Sequence, residues 1–135
     1  MTFLIERKNS LLIVSGPPHD PDRKHLYVIL TNPKNDPATR LLSTLIVPIC
    51  SIVDGKRHDP ACLLGKGDHP FLRHDSYADY YRALIESIDT LTRGIADGKI
   101  IAKVAITDDS FAYLCKGLID SKRTSPKNLL FFHNK

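Results

Sequence analysis

Short apolar runs separated by turn-forming residues make up the first half of the chain. Residues 2–5 (TFLI), 11–14 (LLIV) and 25–31 (HLYVILT) each have the length and the apolar or β-branched content of a strand. The longest apolar run, residues 41–53, predicts a central strand that ends or bulges at Pro48, because proline has no N–H for a strand ladder. The pattern therefore predicts four strands, joined by turns rich in proline, glycine and asparagine.

Three later segments carry weaker signals. Residues 61–64 (ACLL) predict a further short strand. Residues 76–89 (SYADYYRALIESID) fit both helical spacing and strand alternation, so both assignments remain open. Residues 94–106 contain two glycines and show little helical amphipathicity.

The clearest helix of the sequence runs from about residue 108 to residue 121. Thr107 or Asp108 caps its start, and Pro126 lies beyond its end. Its apolar residues follow helical spacing and form one stripe: Phe111, Leu114, Cys115, Leu118 and Ile119. Gly117 interrupts this helix, which indicates close packing against a neighbouring element.

The order of elements is many short strands and then one helix, without the strand–helix–strand alternation of parallel sheets. We therefore predict a mainly β, α+β fold in a single domain, residues 1–135: a small barrel or curled antiparallel sheet with the helix packed on it. The C-terminal tail, residues 126–135, is predicted to cover a strand edge with its apolar side chains.

Composition narrows the class of protein. A chain of 135 residues that is 42% hydrophobic suits one domain with one core. No segment approaches the roughly 18 apolar residues of a membrane span, and the N-terminus lacks a signal-peptide pattern, so we expect a cytoplasmic protein. Three widely spaced cysteines, Cys50, Cys62 and Cys115, predict free thiols. A net charge of +4 is compatible with a polyanionic partner but does not require one.

Residues 67–77 (GDHPFLRHDSY) concentrate groups that bind phosphate, transfer protons or hold metal ions. His69 and His74 have side chains suited to acid–base work near neutral pH, and Arg73 is a phosphate-binding residue type. The histidines of the chain do not have the spacing of metal ligands, so neither a metal site nor a cofactor is predicted.

A structural interpretation of this segment stays open beside the functional one. Asp68 has the position to close an Asx-turn, and Asp75 or Ser76 has the position to cap a helix that starts at Tyr77. Under this interpretation the segment is a turn and carries no chemistry.

Three stretches together resemble a known family. Residues 22–32 (DRKHLYVILTN) look like a strand that follows an Arg-Pro step, residues 43–52 (STLIVPICSI) like a strand that ends in a Thr/Ser step, and residues 69–77 like a later segment with Asp-Ser. In these stretches and in its C-terminal helix the chain resembles the PemK/MazF family of bacterial toxins, from about residue 22 to residue 120. The resemblance implies an SH3-like barrel, a homodimer, and a metal-independent endoribonuclease held by an antitoxin protein.

The chain departs from the family at two positions. The family's Arg-Pro step is Lys24-His25 here, with Arg23 just before it, and Cys50 replaces the catalytic threonine, with Ser51 next to it. Lysine supplies charge but not the planar two-point fork of arginine. A thiol in an apolar strand is a poor nucleophile, because burial raises its pKa.

The chemistry of the activity that the resemblance implies points to a set of site residues. Cleavage of RNA by its own 2′-hydroxyl needs a base, an acid and cations around the phosphate. The expected catalytic residues are Lys24, His25, Ser51 and His69. The expected substrate-binding residues are Arg23, Arg73, His74, Ser76 and Tyr77, with Tyr77 or Phe71 stacking a base. His69, Arg73, Lys24 and Ser51 are expected to converge on one concave surface.

One alternative function follows from the same resemblance. A barrel that binds RNA, DNA or a protein without turnover would carry the same cations, and the departures at Lys24 and Cys50 favour it. The histidines of residues 67–77 favour the ribonuclease. Whether the protein is an enzyme is therefore left open by the sequence.

Overall fold

One antiparallel sheet and three α-helices make up the part of the chain that is described, residues 3–14 and 23–134 of a computed structural model. The strands are β1 (Ser10–Val14), β2 (Lys24–Ile29), β3 (Lys34–Asn35), β4 (Leu42–Ser51), β5 (Leu63–Leu64), β6 (Ser76–Ala78), β7 (Leu84–Ser87) and β8 (Ile100–Lys103). The helices are α1 (Ile88–Ala96), α2 (Asp108–Asp120) and α3 (Pro126–His133), and a short 3₁₀ turn spans Tyr80–Arg82.

The ten-residue strand β4 organises the sheet. The strand order is β5-β6-β4-β2-β1-β8, and β3 and β7 also pair with β4. β2 and β3 lie along one edge of β4, and β6 and β7 follow each other along its other edge. Within the described residues β5 and β8 end the order and do not pair with each other, so strand pairing does not close the sheet into a barrel.

The prediction that the central strand ends or bulges at Pro48 is wrong, since β4 continues to Ser51. Pro48 lies opposite Tyr27 of β2, and its carbonyl accepts a hydrogen bond from the Asp79 N–H at 2.9 Å. In an antiparallel strand the N–H and C=O of one residue point the same way. The missing N–H of Pro48 therefore faces the gap between β6 and β7, where no ladder bond is lost.

The sheet separates two apolar cores. One face, here called the α2/α3 face, packs Leu26, Val47 and Ile49 against α2 and α3. The other, here called the α1 face, packs Tyr27 and Ile46 against α1. This division follows from strand alternation, because neighbouring residues of a strand point to opposite faces.

Helix α2 confirms the predicted helix, its cap and its packing. The Thr107 hydroxyl accepts the Ser110 N–H, and Leu114 and Leu118 are fully buried. At Gly117 a Cβ atom would lie only 2.3 Å from the Tyr80 hydroxyl, whose own hydrogen bond goes to the Leu114 carbonyl at 2.7 Å. The close approach of Tyr80 thus requires a glycine at this position, which confirms the close packing that Gly117 indicated in the sequence.

Several element predictions were wrong. Residues 3–5 are not a strand, and the tail is the helix α3, with Ser125 as its N-cap and Pro126 in its first turn, where proline is favoured. The open segment 76–89 contains two strands and the start of α1, so no helix starts at Tyr77. The predicted loop at 15–24 lies outside the described residues apart from its last two. None of the described helices has the length and apolar content needed to cross a membrane.

Candidate phosphate-binding pocket

One end of the sheet gathers the polar residues that the sequence singled out. β2 begins at this end, β4 ends there and β6 begins there, as the antiparallel pairing of β4 with both neighbours requires. Residues 65–75, which connect β5 to β6, run across the same end. The strand termini thus bring together segments that are about fifty residues apart in sequence.

A cavity of about 220 Å³ opens at this end of the sheet, here called the end pocket. Leu26, Ile49 and Leu72 supply its apolar part. Its polar lining consists of Arg23, Lys24, His25, Ser51, Arg73, His74 and Ser76, and Phe71 completes it. Seven of the nine residues that the sequence assigned to catalysis or substrate binding therefore line one pocket, and His69 and Tyr77 do not.

The cations of the end pocket are available to a ligand. Arg23, Lys24 and Arg73 are exposed, and none of the ion pairs among the described residues involves them. His74 is exposed as well. Positive groups around a small opening with an apolar floor attract an anion of phosphate size.

The two serines of the pocket differ. The Ser76 hydroxyl is 3% exposed and donates to the His74 carbonyl at 2.9 Å, so its single proton is already used. Ser51 is half-buried at the end of β4. Of the two, Ser51 is the better donor to a bound anion.

His25 lies at the pocket but belongs to the other face of the sheet. Lys24 shares the α2/α3 face with Leu26, and His25 shares the α1 face with Tyr27, because the two residues are neighbours in β2. Burial lowers the pKa of His25, and Arg23 and Arg82 lower it further, while Asp79 opposes them. Arg82 and Asp79 form an ion pair with each other at 3.6 Å. Because both act on the pKa of His25, this ion pair lies near the His25 ring.

Cys50 does not act as a nucleophile in this arrangement. Burial and the nearby Asp79 raise the pKa of its thiol to about 11, which keeps it protonated at neutral pH. It lies opposite Tyr77 in the β4–β6 ladder, and a hydrogen bond joins the two side chains. Tyr77 also contacts His58, with ring centroids 5.3 Å apart. Its ring therefore packs beside His58 and Cys50 and does not line the end pocket.

His69 is separated from the expected site because its ring is buried. It is 2% exposed, its Nδ1 accepts the Phe71 N–H at 3.0 Å, and its Nε2 lies 2.9 Å from both the Ser10 hydroxyl and the Val104 carbonyl. The expected convergence therefore holds for Lys24, Ser51 and Arg73, and does not hold for His69.

Asp68 supports the structural interpretation of residues 67–77. Its carboxylate accepts the Gly65 N–H at 2.7 Å, and its own N–H donates to the Gly65 carbonyl at 3.0 Å. A further hydrogen bond joins it to Ser110 at the start of α2. The first half of the segment is thus a fixed turn, and the second half, from Phe71 to His74, forms one wall of the end pocket.

Sequence reasoning missed Asp79 and Arg82. The charges of these two residues affect the pKa values of both His25 and Cys50. Their position after β6 gave no signal, because it depends on how the 3₁₀ turn fits beside β4. The part of the chain that is described contains no group of three or more His, Cys, Asp or Glu residues that could hold a metal ion. No family model, curated protein or solved structure matches the chain.

Proposed function

We propose that the end pocket binds the phosphodiester backbone of RNA, and that the protein is a metal-independent endoribonuclease of the PemK/MazF type. The observation that carries the proposal is the set of three exposed cations without ion-pair partners among the described residues, gathered with His74 around one opening. Backbone phosphates are the part of RNA that such a set recognises, and they supply most of the affinity in nucleic-acid binding.

The pocket residues have matching chemical roles. Lys24 and Arg73 hold the phosphate oxygens and stabilise the charge that grows on them as the 2′-hydroxyl attacks. Ser51 donates a hydrogen bond to the same group. His74 takes the proton of the 2′-hydroxyl, and water protonates the departing 5′-oxygen. The products are a 2′,3′-cyclic phosphate and a 5′-hydroxyl end, because the attacking oxygen belongs to the RNA itself.

The family resemblance extends the proposal to the fold and the partners. In this proposal the sheet around β4 corresponds to an SH3-like barrel, and an antitoxin protein is the expected inhibitor. The protein is also proposed to be a homodimer. Light scattering at micromolar concentration checks this directly, since a monomer mass contradicts it.

The proposal is tested with a labelled single-stranded RNA in buffer that contains EDTA. The wild type should cleave it, and His74→Ala should slow cleavage by about a hundredfold or more, the usual contribution of an acid–base group. Binding of a 2′-deoxy analogue, which has no attacking hydroxyl, should change much less in the same variant. If the deoxy analogue does not bind at all, the proposal is wrong.

A second candidate function is an RNA-binding protein without turnover. The observation in its favour is the position of the histidines, because His69 is buried and His25 belongs to the α1 face, which leaves His74 as the exposed one at the pocket. In this case the wild type binds RNA but leaves it intact, both in EDTA and with added magnesium.

A further inference from the structure

His69 connects three distant parts of the chain under the wall of the end pocket. Its ring is buried and contacts Ser10 of β1 and the carbonyl of Val104, which lies between β8 and α2. On its other side it accepts the N–H of Phe71, the first residue of the wall. The His69 carbonyl also accepts the Leu72 N–H at 3.0 Å, and Leu72 is buried in the core.

The hydrogen bonds define which protonation state of the ring fits. Since Nδ1 accepts a main-chain N–H, the ring is neutral and carries its proton on Nε2. That proton points to the Val104 carbonyl, to which the Ser10 hydroxyl also donates at 2.5 Å. A second proton would occupy Nδ1 and face the Phe71 N–H, so two donors would oppose each other.

We propose that neutral His69 is a positioning residue that holds the wall Phe71–His74 in place to bind phosphate, and that its protonation releases this wall. The inference rests on the proposed function of the end pocket. It makes the pocket sensitive to pH through a residue that never touches the ligand.

The charges around the ring oppose its protonation. Burial lowers the pKa of His69 and Lys103 lowers it further, while the hydrogen bond to Val104 raises it. Lys66 and Asp68 line the shallow cavity beside the ring, and the Asp68 carboxylate is engaged by Gly65 and Ser110. The neutral form is therefore dominant at pH 7, and the wall should loosen only as the pH falls below the ordinary histidine value of 6.5.

Two uncharged variants divide the contacts of the ring between them. In His69→Asn the amide oxygen can accept the Phe71 N–H, but the contact with Val104 is lost. In His69→Gln the amide can reach the Val104 carbonyl, but the bond to Phe71 is lost. Each variant lacks one of the two hydrogen bonds of the ring, and its amide side chain does not titrate. Each should therefore bind a labelled 2′-deoxy oligonucleotide about fivefold more weakly than the wild type at pH 7.5.

The pH profile separates positioning from a purely structural role. The affinity advantage of the wild type over both variants should be present above pH 6.5 and should disappear as the pH falls, while any other effect of pH on binding is shared by all three proteins. Thr44→Val is the control, because it removes a buried hydrogen bond to the Thr31 carbonyl at the other end of β4. It should lower stability in urea and leave the affinity of the folded protein unchanged.

Four results overturn the inference or its premise. If the affinity ratio between wild type and variants does not change with pH, or if folded variants bind like the wild type, His69 only stabilises the fold. In the wild type, NMR should show the Phe71 amide resonance moving as the His69 ring titrates, and an unchanged resonance contradicts the inference even if the variants do not fold. If Arg73→Ala leaves binding unchanged, the end pocket is not the site and the proposed function itself fails.

Discussion

Replacing Lys24 and Arg73 together with alanine should weaken binding of single-stranded RNA by about a hundredfold or more. Each residue is exposed at the end pocket and has no ion-pair partner among the described residues, so no ion pair within that part of the chain competes with a phosphate. A hydrogen bond to a charged group contributes about 1.5–3 kcal/mol, and 1.4 kcal/mol corresponds to a tenfold change in affinity. Fluorescence anisotropy with a labelled 2′-deoxy oligonucleotide measures the effect without interference from cleavage.

The control is a second double variant, Arg93→Ala with Lys116→Ala. It lowers the net charge by the same amount, but both residues lie on exposed helix surfaces and pair with Asp89 and Asp120. If affinity depends on the pocket, this control should stay within about twofold of the wild type, because distant exposed charges are screened by salt. An equal loss in both double variants would mean that net charge alone attracts the RNA.

Leu114→Ala should lower the free energy of unfolding by about 2–5 kcal/mol, the range for a buried leucine that leaves a cavity. Leu114 is 0% exposed in the core on the α2/α3 face. Its carbonyl accepts the hydroxyl proton of Tyr80, itself 0% exposed, so the surrounding structure has little freedom to fill the space. Urea denaturation followed by circular dichroism gives the value.

Ile119→Ala provides the matched comparison on the same helix. Both positions belong to the apolar stripe of the sequence, but Ile119 is 49% exposed, so its truncation should cost less than about 1 kcal/mol. Similar losses at the two positions would show that the helix packs through a different face. A negligible loss at Leu114 would show that α2 does not cover the sheet.

The strands were predictable where apolar runs lie between strong turn signals. β2 and β4 coincide closely with the runs 25–31 and 41–53. The predictions failed where local pattern and tertiary context disagree. Helix α1 was missed because Gly94 interrupts it and only Leu91 is fully buried, although Ser87 at its start has the chemistry of an N-cap. The tail was predicted only to cover a strand edge, although its capping residue Ser125 and the proline after it favour a helix start.

The candidate site was only partly accessible to sequence reasoning. The grouping of Lys24, Ser51 and Arg73 follows from where strands begin and end, which the turns of the sequence indicate. Because successive side chains of a strand point to opposite faces of the sheet, the sequence of β2 was sufficient to place Lys24 and His25 on opposite faces. The burial of His69 was not, because it depends on contacts with Ser10 and Val104, 59 and 35 residues away.

The most direct test of the central claim, that the end pocket binds RNA phosphates, is the salt dependence of binding. Each phosphate contact with a single strand contributes about 0.7 to the slope of log affinity against log salt concentration. Removal of both Lys24 and Arg73 should therefore flatten the slope by about 1.4, whereas the Arg93 and Lys116 double variant should keep the wild-type slope. If the slope of the pocket variant equals that of the wild type, the two cations do not contact phosphate, and the account of the pocket is wrong.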